Sequence, residues 1–132
     1  MKLQDVPILV VDDVNAMRLQ IQELLQRVGF EIIFLACNGA EALDVLQKES
    51  SVRLILADLH MEPINGLDLL TVLKANKQNQ NLAYIMITAD STKDKVVKSI
   101  QAGVDDYLVK PLTLDMAHTK IIKALMKKKV IS

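Results

Sequence analysis

Val6-Pro7-Ile8-Leu9-Val10-Val11-Asp12-Asp13 sets the reading of this chain: an unbroken apolar run that stops on two adjacent acids. A strand with one wet face alternates apolar and polar residues, whereas a continuous run suits a strand covered by helices on both sides. Similar short runs occupy residues 31–36, 53–57, 83–87 and 106–109. Between them the apolar residues change to helical spacing. Val14, Met17, Ile21, Leu24, Leu25 and Val28 form one stripe, and Val96, Val97 and Ile100, or Ile121, Ile122 and Leu125, form shorter ones. The alternation predicts an α/β chain with five parallel strands and each stripe lying on the sheet. Right-handed crossovers permit a doubly wound arrangement.

Boundary signals agree with this pattern. Asn38 followed by Glu41, Asn65 followed by Asp68, and Thr113 read as openings of helices, while Gly29 and Gly103 read as C-terminal stops. The polar segment 74–81 reads as a loop. With 132 residues, 51% of them hydrophobic, and no Pro- or Ser-rich linker, residues 1–132 are predicted to form a single domain without an output domain. Formal charges balance at 16 basic and 16 acidic residues, so no global field draws the chain to nucleic acid or to an anionic membrane. Its apolar runs are far shorter than the ~20 residues needed to cross a bilayer. Cys37 has no internal disulfide partner and reads as a small core residue. The N-terminus lacks a signal-peptide pattern, which makes the cytoplasm the expected compartment.

In a doubly wound sheet the functional crevice lies at the carboxyl ends of the central strands. Asp12 and Asp13 follow the first strand run and Asp58 follows the third. Crowded carboxylates repel one another and resist burial, so a site that gathers three needs a cation. Oxygen ligands at an open crevice suit Mg²⁺, which takes a few carboxylates and keeps waters or phosphate oxygens. Thr88 and Lys110 close the fourth and fifth strand runs, where a hydroxyl and an ammonium can meet phosphoryl oxygens. Together these residues describe a phosphoryl-transfer site.

Val10-Val11-Asp12-Asp13, Asp58, Thr88-Ala89 and Lys110-Pro111, with Gly66 and Ala102-Gly103, resemble the receiver domains of two-component response regulators along essentially the whole chain. Asp12-Asp13-Val14-Asn15-Ala16-Met17-Arg18 looks most like the stand-alone chemotaxis (CheY-like) branch. The resemblance implies a flavodoxin-like (βα)5 fold with strand order 2-1-3-4-5. It implies Asp58 as phosphoacceptor and nucleophile. Mg²⁺ would be held by Asp12, Asp13, Asp58 and the backbone carbonyl of His60, with Thr88 and Lys110 on the phosphoryl group. Thr88 and Tyr107 would be the switch pair, and Pro111 would follow a cis peptide. The implied partners are a sensor histidine kinase or histidine phosphotransfer protein upstream and a protein target downstream. That target would dock on the face of the fourth helix, fifth strand and fifth helix. A flagellar motor switch is one candidate, since Lys93, Val96, Tyr107 and Lys120 match in kind the docking positions of the chemotaxis branch. The domain is expected to act as a monomer and to catalyse only its own phosphorylation and dephosphorylation.

The sequence departs from the family in one place. After Asp58 it reads Leu-His-Met-Glu-Pro, which puts Glu62 where proline is common and Pro63 one position later. His60 and Asp90 stand at the two positions whose side chains flank the attacking water in similar proteins. Simpler readings exist for single residues. Asp12-Asp13 alone could cap a helix, Tyr107 could be an ordinary half-buried strand residue, His118 is a surface residue without a ligand partner, and residues 127–129 complement a helix C-terminus. Among other functions, an FMN carrier is disfavoured by acids where its phosphate would sit and by few aromatics. An aspartyl-phosphate phosphatase or phosphotransferase would want a second acid where His60 stands. A phosphorelay intermediate or phosphate sink would use the same site.

Overall fold

The computed structural model describes residues 1–89 and 93–132, leaving aside the side chains of Lys93 and Lys95. Asp90 and the Lys93 side chain therefore lie outside the described residues. Strands β1 (Ile8–Val11), β2 (Ile33–Ala36), β3 (Leu54–Asp58), β4 (Ala83–Thr88) and β5 (Asp106–Val109) alternate with helices α1 (Asn15–Val28), α2 (Gly39–Lys48), α3 (Gly66–Lys74), α4 (Lys93–Gln101) and α5 (Leu114–Lys127). The strands pair in parallel in the order β2-β1-β3-β4-β5, the predicted arrangement.

Strand limits shift slightly from the sequence reading, for local reasons. β1 begins at Ile8 because Leu3–Asp5 forms a 3-10 turn and Pro7 brings no N–H to a ladder. β3 and β4 each run one residue further than predicted, so Asp58 and Thr88 are the last ladder residues of their strands. The predicted loop 74–81 contains the last residue of α3 and a short 3-10 turn, Lys77–Asn79.

Successive side chains of a strand point to opposite faces, and the central strands split accordingly into two cores. Ile8, Val10, Leu54, Leu56, Ala83, Ile85 and Ile87 meet Ile21 and Leu25 of α1 and Ile121 and Leu125 of α5. Leu9, Val11, Ile55, Ala57, Tyr84 and Met86 meet Ala42 of α2 and Leu69, Leu70 and Leu73 of α3. Each fully buried Leu or Ile contributes about 1.5–3 kcal/mol by leaving water, so these two faces supply most of the folding drive. The caps are as expected: Asn38 accepts from the Glu41 N–H at 2.9 Å, Asn65 from Asp68 at 2.8 Å, and Thr113 from Met116 at 3.3 Å. Gly29 and Gly103 follow α1 and α4 with φ of 127° and 96°, a region open to glycine at little cost.

Three expectations are corrected. The α4 stripe does not lie on the sheet: Val97 and Ile100 are 39% and 59% exposed, while Ser99 is buried and Ala102 packs on the second core. The side of α4 turned inward is marked by Ser99, with Val96 half-buried three residues before it and Ala102 three residues after, just past the helix end, a phase that hydrophobicity alone misreads because the buried residue is a serine. Val14 stands at the N-cap of α1 and is 53% exposed, outside the stripe it was grouped with. Cys37 is only half-buried, and its thiol donates to Glu41 Oε2 at 2.9 Å instead of packing in the core.

One tertiary contact fixes the start of α3 against the sheet. A Cβ on Gly66 would come within 2.5 Å of the Asp58 carbonyl oxygen and 2.7 Å of Met86 Sδ. The buried Tyr84 hydroxyl donates to the Gly66 carbonyl at 2.7 Å, and burial pushes its pKa up. Backbone cannot yield as a flexible side chain can, so Gly66→Ala is expected to lower unfolding free energy by roughly 1–3 kcal/mol. Tyr84→Phe strands a buried carbonyl and is expected to cost about 1–2 kcal/mol. Urea denaturation of both variants measures these losses; wild-type stability in either would remove the contact from the account.

Candidate functional site

Register brings the acids together. Val11 pairs with Ala57 across β1 and β3, so Asp12 and Asp58, the next residues, emerge side by side at the carboxyl end of the sheet. Asp12 is fully buried, Asp58 is 5% exposed, and Asp13 is exposed at the mouth. One carboxylate oxygen from each of the three lies within 4.8 Å of the others, the geometry in which a single cation can touch all three.

Lys110 reaches this cluster from the end of β5. Its backbone N–H donates to the Thr88 carbonyl at 2.8 Å, continuing the ladder one residue past β5. Its Nζ stands 3.2 Å from Asp58 Oδ2 and 3.3 Å from Asp12 Oδ2. Thr88, buried at the end of β4, is ladder partner to Val109 and neighbours Ile87, the partner of Asp58. The other carboxylate oxygens are held by backbone. Asp12 Oδ1 accepts from Val14 N–H at 2.9 Å, and Asp58 Oδ1 accepts a longer bond from His60 N–H at 3.3 Å. The His60 side chain is exposed. Asp12 thus bonds the turn before α1 and does not cap the helix, whose N-cap is Val14 without a side-chain bond.

Electrostatics show a site short of positive charge. Burial pushes the Asp58 carboxyl up, with Asp12 adding to the shift, and the Lys110 ammonium only partly offsets them. Burial pulls Lys110 down, but attraction to Asp58 and Asp12 outweighs it and the net shift is up. One ammonium therefore bridges two carboxylates while a third, from Asp13, stands beside them, a balance that a divalent cation would restore. The donor set consists of oxygens at an open rim, which fits Mg²⁺ better than a metal that wants a closed cage.

The remaining predicted residues fall in different places. Tyr107 is half-buried on β5, with Lys120 Nζ 4.5 Å from its ring centroid and donating to its carbonyl at 2.7 Å. Lys120 also pairs with Asp106 at 3.2 Å. Lys110–Pro111 is cis, as the resemblance implied, and Glu62–Pro63 is cis as well, with Glu62 exposed. His118 is exposed. In the 127–129 run, Lys127 and Lys128 approach the Asp105 carboxylate at 3.8 and 3.6 Å, and Asp105 in turn accepts the Tyr84 N–H at 2.8 Å. Those lysines therefore brace the start of β4 as well as ending a helix.

Sequence reading missed two features. Arg18 bonds the Asp12 carbonyl at 2.6 Å and Asn15 Oδ1 at 2.9 Å. Its spacing of three from Asn15 was a usable signal, since such residues share a helix face. Gly39 lies so close to Ile64 that a Cβ would stand 2.6 Å from the Ile64 side chain, a contact between distant segments with no local signature.

With the geometry in view, comparison with known proteins is direct. Residues 8–122 match the response regulator receiver domain family. The chain is 36% identical over 114 residues to a chemotaxis protein CheY homolog of Campylobacter jejuni, covering 86% of this chain and 88% of that protein. It is 35% identical over 116 residues to the chemotaxis protein CheY of Pseudomonas aeruginosa, covering 88% and 93%. A CheY-like response regulator receiver domain protein from Methanospirillum hungatei superposes with a TM-score of 0.82 at 28% identity, covering 95% of this chain and 97% of that one. Fold, family match and relatives agree: the chain belongs to the response regulator receiver domain family, as a phosphorylation-activated signalling domain of the chemotaxis type.

Proposed function

We propose that Asp58 accepts a phosphoryl group from a phosphohistidine of a kinase or phosphotransfer protein, with Mg²⁺ held by Asp12, Asp13, Asp58 and the His60 carbonyl. The observation that carries this reading is the convergence of Lys110 Nζ on both Asp58 and Asp12, with an Asp13 oxygen within 4.8 Å of an oxygen of each. An Asp58 oxygen attacks phosphorus, an O–P bond forms as the N–P bond breaks, and the donor histidine leaves with the electron pair. Lys110, freed from Asp58 as that carboxylate becomes an acyl phosphate, pairs with a new phosphoryl oxygen, and the Thr88 hydroxyl donates to another. Bound Mg²⁺ supplies charge that offsets both the crowded carboxylates and the incoming phosphate. The same residues allow water to reverse the modification, and the domain catalyses nothing else.

Output follows from the other side of β4 and β5. Val97 and Ile100 of α4 and Val109 of β5 are exposed apolar residues, the kind of surface that marks a protein contact. Tyr107, bridged to α5 by Lys120, sits between site and surface, so movement of Thr88 toward a phosphoryl group can be relayed by the ring. The flagellar motor switch is the proposed target. No helix among the described residues is long and apolar enough to cross a membrane, and a monomeric cytoplasmic domain is the reading we adopt.

Acetyl phosphate with Mg²⁺ is expected to add the mass of one phosphoryl group to the wild type, mapped to Asp58. It should add none to Asp58→Asn or to wild type in EDTA; labelling of the Asn variant would reassign the acceptor. Lys110→Ala is expected to keep Mg²⁺ binding and to lose most of the labelling rate.

The raised Asp58 pKa has a signed consequence. A carboxyl raised by folding favours the fold while protonated, and that contribution is lost as pH rises through the folded value. Metal-free Asp58→Asn is therefore expected to melt a few degrees above wild type at pH 7, with the gap closing below about pH 4, where carboxyls are protonated in the unfolded chain too. Added Mg²⁺ should raise the wild-type melting temperature more than that of the variant. Calorimetry across pH in EDTA and in Mg²⁺ reads both effects.

A further inference from the structure

Arg18 lies in the first turn of α1, half-buried, and its guanidinium spans the acidic loop. One arm donates to the Asp12 carbonyl at 2.6 Å and the other to Asn15 Oδ1 at 2.9 Å. The N-cap of α1 is Val14, which makes no side-chain capping bond, so the fork of Arg18 adds to the ties that Asp12 itself makes. Asp12 is otherwise tied by its N–H to the Ala36 carbonyl at 3.1 Å and by Oδ1 to Val14. Its carbonyl begins the peptide that leads to Asp13, so holding that oxygen sets the plane from which the exposed Asp13 side chain departs. A planar fork with fixed donors meets two acceptors at once, whereas an ammonium is a single point charge.

We propose that Arg18 is a positioning residue of the metal loop, whose fork presets Asp13 toward the point it shares with Asp12 and Asp58. This rests on the Mg²⁺ reading above. Charge and geometry make opposite demands here. A guanidinium near a divalent cation repels it, so a purely electrostatic role predicts tighter binding when the charge is removed. Positioning predicts weaker binding from either Lys or Met, and partial weakening when Asn15 alone is lost.

The chain has no tryptophan to report on the site, so Mg²⁺ is titrated against ¹H–¹⁵N shifts of the amides at 12–14 and 58–60, with thermal melts of the metal-free proteins alongside. Arg18→Lys and Arg18→Met are expected to raise the Mg²⁺ dissociation constant about tenfold, the usual scale for residues that orient metal ligands. Asn15→Ala should weaken binding less, without any change in charge. Unchanged affinity in Arg18→Lys, or equal or tighter affinity in Arg18→Met, overturns the proposal while leaving the metal site in place. A wild type without Mg²⁺-dependent shifts overturns the metal reading and the inference together.

Discussion

Three crowded carboxylates, two of them bridged by one ammonium at the carboxyl edge of an otherwise apolar sheet, are the constraint on which the rest of this structure depends. Asp12 is fully buried and Asp58 nearly so, yet Lys110 satisfies one oxygen of each and backbone amides satisfy the others. Among the described residues, no buried side-chain nitrogen or oxygen lacks a partner. Hydrogen bonding thus makes the burial tolerable, but burial still holds the Asp58 carboxyl up, with Asp12 adding to the shift, and the three acids leave a surplus of negative charge at the edge. That surplus is what the proposed divalent cation would offset.

Holding that arrangement takes more of the chain than the ligands themselves. The end of β3 is closed by Gly66, which approaches the Asp58 carbonyl more nearly than any residue with a Cβ could. Tyr84 fastens the same turn from β4, and Asp105 with Lys127 and Lys128 fastens the start of β4 at the opposite edge of the sheet. These ties act on backbone. They fix where strands begin and end, and so set the level at which Asp12, Asp58 and Lys110 meet.

The site and the surface proposed for output share β4 and β5. Lys110 bonds the Thr88 carbonyl, Thr88 is the ladder partner of Val109, and Tyr107 on the same strand is bracketed by Lys120 from α5. The proposed relay from Thr88 would run along these backbone and ladder ties toward the exposed apolar residues of α4 and β5. Placing Val97 and Ile100 outside the core weakens the hold of α4 on the sheet, a cost consistent with a helix that serves as a contact surface.

The α/β alternation, the five strands, the caps at Asn38, Asn65 and Thr113, and the strand-end acids and lysine were legible in the sequence by itself, because each is written in local residue order. Apolar runs specify buried strands, and side chains next to a strand end must sit at the sheet edge. The phase of α4 was not legible, since its buried face uses Ser99 while two of its apolar residues face outward. Nor were the Gly66–Tyr84 tie, the Gly39–Ile64 approach or the lysine pair on Asp105. Each joins residues far apart in the chain, and their contact is decided by how helices settle on the sheet. Sequence determined which groups could do the chemistry; tertiary packing decided their distances, their burial and therefore their charge balance.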